Sequence, residues 1–511
     1  MDVLIGIGGF LVLLAIFDIV QTKHAILRNF PIIGHFRYLL ETIGPELRQY
    51  IVTSNNEERP FSRDERTWVY ASSKKQNNYF GFGTDNDPEQ SPNYLIIKQS
   101  AFPLHCPHPG EPDYDELHRL PAAKVLGEAR GRARAFRPES VINVSAMSFG
   151  SLSGPAVEAI NRGCALAGCL HNTGEGSVSP YHLQGGGLIW QIGTGYFGCR
   201  DERGQFDLSR FKDVVAEHPV RAIEIKLSQG AKPGMGGLLP AAKITPQIAK
   251  IRGIPMGRDC ASPATHSAFS DVDSMLDFVE LLASETGLPV GIKSAIGEQG
   301  FWCELAELMT DGSRGVDYIA VDGGEGGTGA APLVFADHVA LPFKLAFVRV
   351  YRQFFERGLQ DKVLFVGSGK LGFPANGTLA FALGCDMIHV AREAMMSIGC
   401  IQAQRCHTGH CPAGVATQNR WLMRGLDPTH KGPRLANYVV TLRKELLQLA
   451  RVCGVPHPSL ITPDHCEIID ERFGTSTARE LFQLGDHGAW GLPSDEQQRE
   501  LLNWMNQAPA A

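Results

Sequence analysis

D-Y-I-A-V-D-G-G-E-G-G-T-G-A-A-P, residues 317–332, is the stretch on which the fold turns. Its first part is a short apolar run of strand length; its second holds five glycines within residues 323–329. A strand that ends on a carboxylate and passes straight into bare backbone exposes amides to a ligand. The pattern recurs. Further apolar strand candidates are 141–147, 222–228, 289–295, 363–369 and 386–392, and amphipathic stretches such as 270–285 and 341–358 lie between them. Continuous apolar strands alternating with helices predict a parallel sheet covered by helices. Ser148, Lys226, Lys293, Asp322, Ser368 and Arg392 each stand at or just past the C-terminal end of a strand candidate. In a (β/α)8 TIM barrel that end carries the chemistry, because the βα loops converge there. A doubly wound sheet would instead place one G-x-G-x-x-G after its first strand. Here glycines follow several strands, so the expected fold is an α/β barrel.

The chain has 511 residues and a net charge of −6. That charge argues against a general nucleic-acid binder, which needs a basic surface to displace phosphate counterions. Val3–Val20 is apolar except for Asp18, and Lys23, His24, Arg28 and Arg37 follow it. Its length is the lower limit for crossing a bilayer, and the basic flank places the rest of the chain in the cytoplasm. The expectation is a single-pass anchor in the cell membrane; a buried apolar helix is the alternative. Cytoplasmic placement disfavours disulfides among the twelve cysteines. The expected organisation is a transmembrane anchor at 1–21, an N-terminal segment packing on the barrel at 22–137, the barrel at 138–425 and a C-terminal helical extension at 426–511.

Near the end of the repeat come G-S-G-K (367–370) and V-A-R-E (390–393). Loops after the last two strands of such a barrel form phosphate sites. Gly367, Gly369 and the amides of Ala391 and Arg392 suit a monophosphate, and FMN fits better than a dinucleotide. Lys226 and Lys293 face the barrel mouth, where each needs an anionic partner: a reduced flavin, an acidic substrate, or a carboxylate such as Glu224 or Glu298. Lys232, on the Gly/Pro loop after 222–228, and Arg252 suit a carboxylate substrate. C-I-Q-A-Q-R-C-H-T-G-H-C-P (400–412) gathers three cysteines and two histidines. Spacing alone leaves open a zinc site using His407 or His410 and an iron–sulfur site.

These motifs together resemble the FMN-binding synthase domain of glutamate synthases. The resemblance is carried by S-A-M-S-F-G (145–150), N-T-G-E-G (172–176), Q-G-A-K-P-G (229–234), D-G-G-E-G-G-T-G-A-A-P (322–332), S-I-G-C (397–400) and C-x5-C-x4-C-P-x-G-V-A-T-Q (400–418). It covers roughly 138–425. It implies a barrel holding FMN and a 3Fe-4S cluster that relays electrons to it, with reductive amination of 2-oxoglutarate by ammonia through 2-iminoglutarate. It implies Cys400, Cys406 and Cys411 as cluster ligands. Met147, Ser148, Lys293, Gly327, Thr328, Gly329, Gly367, Ser368, Gly369, Ala391 and Arg392 are implied as flavin contacts, and Lys232 and Arg252, beside Lys226, as the groups that hold the keto acid.

The sequence also departs from the family. Where the family loop reads G-A-K-P-G-E-G-G-Q-L-P, this chain has Met235 and Leu238. Neither an N-terminal cysteine nucleophile nor a Rossmann fingerprint is present, so the expectation is a standalone synthase domain without the glutaminase. Its electrons would come from a ferredoxin or a reductase subunit. Two other readings keep the barrel: the same cofactors acting on a different small substrate, or a membrane-tethered electron-transfer subunit of a split synthase.

Overall fold

Eight short parallel strands close on themselves in the computed structural model, which describes residues 2–111, 114–470, 474–485 and 490–507. They are β1 Ile142–Val144, β2 His171–Asn172, β3 Leu188–Ile192, β4 Val220–Lys226, β5 Val290–Ala295, β6 Tyr318–Asp322, β7 Leu364–Ser368 and β8 Met387–Val390. Each pairs in parallel with the next, and β8 returns to β1 through Ile388–Ile142 and Val390–Val144. The fold is therefore the expected (β/α)8 barrel. Six of the strands fall on the six expected runs, β4 beginning two residues early at Val220. The other two, β2 and β3, were not expected: β2 is only His-Asn, and β3 sits behind a glycine run.

Close packing fixes the barrel's shape. A Cβ on Gly291 of β5 would lie 2.3 Å from Cδ1 of Tyr318 on β6. The Tyr318 hydroxyl donates to Ile223 O on β4 at 3.0 Å. The N-terminal end is held by charge. Lys124 Nζ meets Asp386 at 2.9 Å, and Arg132 bridges Asp317 at 3.0 Å and Glu280 at 2.6 Å.

The chain divides into two compact units at Thr67/Trp68, so the stretch expected as one segment, 22–137, belongs partly to each. In the first unit, α1 (Asp2–Val20) is the one helix among the described residues long and apolar enough to cross a membrane. It is followed by α2 (Ala25–Asn29) and α3 (Ile33–Leu47).

The C-terminal extension is not purely helical. It opens with a long helix, Pro428–Val452, that meets the helix Gly154–Ala167 at Gly163, where a Cβ would lie 2.6 Å from Leu435 Cβ. Beyond it, Cys466–Ile469 and Thr475–Thr477 are strands that form an antiparallel sheet with Tyr94–Ile97. Burial alternates along Cys466–Ile469 with a period of two, which is strand periodicity. The parts of the expected segments at 112–113, 471–473, 486–489 and 508–511 lie outside the described residues.

Burial pushes His182, His389 and His457 each down to about 3, so all three are neutral in the folded protein. The unfolded chain takes up these protons below about pH 6.5 and the folded chain does not, so stability falls as pH drops through that window. Between pH 6 and 4 these three groups add roughly 4 kcal/mol per pH unit to the slope. In urea titrations across this range, His457→Asn is expected to reduce the proton uptake on unfolding by about one. An unchanged slope would show that His457 is not held neutral.

Candidate active site

Lys226 closes β4, and its Nζ lies 3.0 Å from Glu175 Oε1 in the loop after β2. The same ammonium donates to Gln229 Oε1 at 2.8 Å. Burial alone would push Glu175 up. The adjacent Lys226, with Arg252 and Lys232 further off, reverses this and holds its carboxyl below the usual range. Lys232 shifts down, first through burial and then through repulsion from Lys226. Arg252, the last residue of the helix Pro246–Arg252, is buried and also shifted down by desolvation. Its Nη2 donates to Ser148 Oγ at 3.2 Å and Phe149 O at 3.0 Å, its guanidinium carbon lies 5.1 Å from the Phe197 ring centre, and its Nε has no partner among the described residues. The three basic residues expected at the site thus gather around one carboxylate.

Glycine makes this gathering possible. A Cβ on Gly176 would lie 2.8 Å from Arg252 Nη2, and one on Gly237 would lie 2.5 Å from Glu175 Oε1. Any side chain at these positions would displace the charges.

The carboxylates nearest the two strand-end lysines are Glu175 and Asp322, not the suggested Glu224 or Glu298. Lys293 lies 3.6 Å from Asp322 Oδ2, which also accepts from Gly230 N at 2.9 Å. Glu298 is exposed. Glu224 is spent inside the barrel, where its Oε1 accepts from Asn172 at 2.7 Å and Gln191 at 2.6 Å, while Oε2 has no partner among the described residues. Burial raises its carboxyl above the usual range, against the pull of Lys293. His389, on β8, is buried, its Nε2 has no partner among the described residues, and it feels both Lys293 and Asp322. Burial pushes it down to about 3, so a neutral imidazole lies among the charged strand ends.

Comparison with known proteins gives the family. Residues 121–456 match the family described as the conserved region in glutamate synthase. The glutamate synthase large subunit-like protein YerD of Bacillus subtilis (strain 168) is 38% identical over 475 residues, covering 87% of this chain and 90% of that protein. The chain belongs to the glutamate synthase family. Archaeal glutamate synthases [NADPH] of Methanocaldococcus jannaschii and Archaeoglobus fulgidus are 33% and 35% identical, each over 62% of this chain and 59% of the relative. This glutamate synthase relative is an oxidoreductase of the class acting on CH–NH2 donors.

The residues that the resemblance implies as FMN contacts lie at the barrel mouth. Met147 and Ser148 follow β1, Lys293 lies on β5, Gly327, Thr328 and Gly329 follow β6, Gly367 and Ser368 end β7, and Ala391 and Arg392 follow β8. A Cβ on Gly327 would lie 2.7 Å from Arg392 Cδ, so bare backbone lies directly against that guanidinium. Gly329 faces open space, and Gly369 takes a φ of 129° in the region that favours glycine. Thr328 Oγ1 accepts from Gln229 Nε2 at 3.0 Å, tying this loop to the one that carries Lys232.

Cys400, Cys406 and Cys411 share one loop, and Cys411 is buried. Burial first, then the neighbouring Cys411, raises the Cys406 thiol. Among the described residues no three His, Cys, Asp or Glu side chains are arranged to hold one metal ion. An iron–sulfur cluster would be held by cysteine thiolates and carry negative charge. The chemistry of the surroundings fits such an anionic group. The buried Lys243 donates to Cys406 O at 2.6 Å, and the charges acting on it are those of Cys406 and Cys411.

Sequence reasoning did not single out Glu175, Gln229, Lys243 or His389. Glu175 was visible only inside N-T-G-E-G, because the two-residue β2 before it gave no strand signal. Glu175→Gln would leave three cations facing one another. Removing one partner of a largely buried pair costs about 3–5 kcal/mol, read as a lower urea midpoint, and Glu175→Asp is expected to recover part of it. A Gln variant as stable as the parent would show that Glu175 does not balance these charges.

Proposed function

We propose that this chain is an FMN- and iron–sulfur-dependent oxidoreductase that reductively aminates 2-oxoglutarate, or a related 2-keto acid, with ammonia. The observation that carries this reading is the excess of cations over carboxylate at the barrel mouth. Lys226, Lys232 and Arg252 surround Glu175, the one carboxylate acting on them among the described residues, and an anionic substrate would restore the balance. Arg252, with its unpartnered Nε, and Lys232 would hold the keto-acid carboxylate. Glu175 fixes the position of Lys226.

Ser148, Lys293, Gly327–Gly329, Gly367–Gly369 and Arg392 would hold FMN, which when bound supplies hydride chemistry at a C=N carbon. Cys400, Cys406 and Cys411 would ligate a 3Fe-4S cluster, the entry point for single electrons from a ferredoxin or a reductase subunit. The apolar α1 would anchor the chain in the cell membrane with the barrel on the cytoplasmic side.

A second reading keeps the cofactors and changes the substrate. Met235 and Leu238, 41% and 49% exposed, replace the family's acidic and amide residues on the substrate loop.

Protein purified without oxygen is expected to show flavin absorption with a broad iron–sulfur shoulder, both bleached by dithionite. Cys406→Ser should lose iron and sulfide but keep the flavin. With an artificial electron donor, 2-oxoglutarate and ammonia should give glutamate. Arg252→Lys should raise the keto-acid KM roughly 10–100-fold, because it loses one or two charge-assisted hydrogen bonds. A colourless protein would refute the cofactor assignment. Turnover of other keto acids but not 2-oxoglutarate would favour the second reading.

A further inference from the structure

In the first unit, the apolar face of α3 points outward. Along α3 and the turn Arg48–Val52 that continues it, Ile33, Phe36, Leu40, Ile43, Leu47 and Ile51 recur every three or four residues and form one stripe. All six are exposed, Ile33 by 76% and Ile51 by 73%. Arg37, Glu41 and Arg48 lie on another side, with Arg37 Nη2 2.7 Å from Glu41. A helix of this pattern in a water-soluble domain turns the stripe into a core. Here the buried contact of α3 is made by Gly34 instead, whose Cβ would lie 3.0 Å from Leu27 Cδ2 of α2.

The stripe is coupled to α1. Asp18, near the end of that apolar helix, is fully buried. It accepts from Ile32 N at 2.9 Å and lies 2.9 Å from His35 Nε2, so the end of α1 is clamped to the start of α3. Residues 22–53 carry Lys23, Arg28, Arg37 and Arg48 against Glu41 and Glu46, a cationic excess beside the apolar stripe. Exposed apolar side chains with flanking cations, continuous with a bilayer-length helix, match the interface of an anionic membrane, where such a helix sinks its apolar face about 5–10 Å.

We propose that α2 and α3 form a foot lying in the plane of the membrane surface, its stripe in the acyl boundary, so that the chain is held by a span and an in-plane helix together. This rests on reading α1 as an anchor. The two elements then have different tasks. The span retains the chain, and the foot fixes how the end of α1 meets the surface through the Asp18 clamp.

The test uses the full chain in vesicles of phosphatidylcholine and phosphatidylglycerol that carry a diazirine-labelled phospholipid. Adducts are mapped by mass spectrometry after illumination, and resistance to alkaline extraction reports α1 separately. Adducts are expected on both α1 and residues 33–51. Phe36→Asp with Leu40→Asp should keep the α1 adducts and extraction resistance while lowering those on α3 about tenfold or more. Both positions are exposed, and near-UV dichroism checks that the barrel is intact. Adducts on α1 with none on 33–51 would overturn the foot and leave the anchor standing. Absence from both, with loss of extraction resistance, would overturn the anchor and the foot with it. Protein–protein cross-links at 33–51 without lipid adducts would assign the stripe to a second copy and overturn the proposal.

Discussion

Three buried or nearly buried cations sharing one carboxylate are the constraint on which this structure depends. Lys226, Lys232 and Arg252 each lose hydration at the barrel mouth, and Glu175 returns only part of it. Repulsion between Lys226 and Lys232 is built in. Such a cluster persists only where the backbone is rigid enough to hold like charges together. The closed barrel supplies that rigidity. Lys226 ends β4, Glu175 follows β2, and Arg252 is fixed by Ser148 and Phe149 after β1. The charges are therefore placed by three different strands, none of which can move without opening the sheet.

The interior works in the opposite sense. Burial keeps His389 neutral and raises Glu224, so the polar groups within the barrel are biased toward their uncharged forms. A site of this kind concentrates formal charge at the rim, where a ligand can meet it. It avoids charge inside, where it would only cost desolvation.

Much of this was legible in the sequence. Strands such as Val290–Ala295 and Leu364–Ser368 are apolar on both faces and end on chemistry-bearing residues, so their length and their position in the barrel could both be read. His171–Asn172 could not be: two polar residues carry no periodicity, and what makes them a strand is pairing with Leu188 and Ile189. The same gap hid Glu175. Charge partners were hard to read for a related reason. Glu224 is two residues from Lys226 in the chain, yet its carboxylate is taken by Asn172 and Gln191, and the carboxylate that reaches Lys226 comes from another loop. The C-terminal sheet was missed because Cys466–Ile469 is short and pairs with Tyr94–Ile97, hundreds of residues away. Local pattern gives elements; long-range pairing decides the rest.

Recognition in the proposed reaction divides along the same lines. The cations that would hold a keto-acid carboxylate are fixed by the barrel. Met235 and Leu238 belong instead to the excursion between β4 and β5, whose hairpin is held largely by its own backbone, through Leu238–Ala261 pairing and Ser262 N to Gly237 O at 2.8 Å. Leu239 of that hairpin is buried while Leu238 is exposed, so the alternation of a strand presents one position for packing and leaves the other open to change. Substitution at Met235 or Leu238 therefore costs the fold little. With Met235 and Leu238 the hairpin offers a substrate no side-chain hydrogen bond at these two positions, where each such group would change recognition by about 1–3 kcal/mol. In the proposed reaction, the carboxylate-holding cations would thus belong to the barrel and the choice among keto acids to the hairpin.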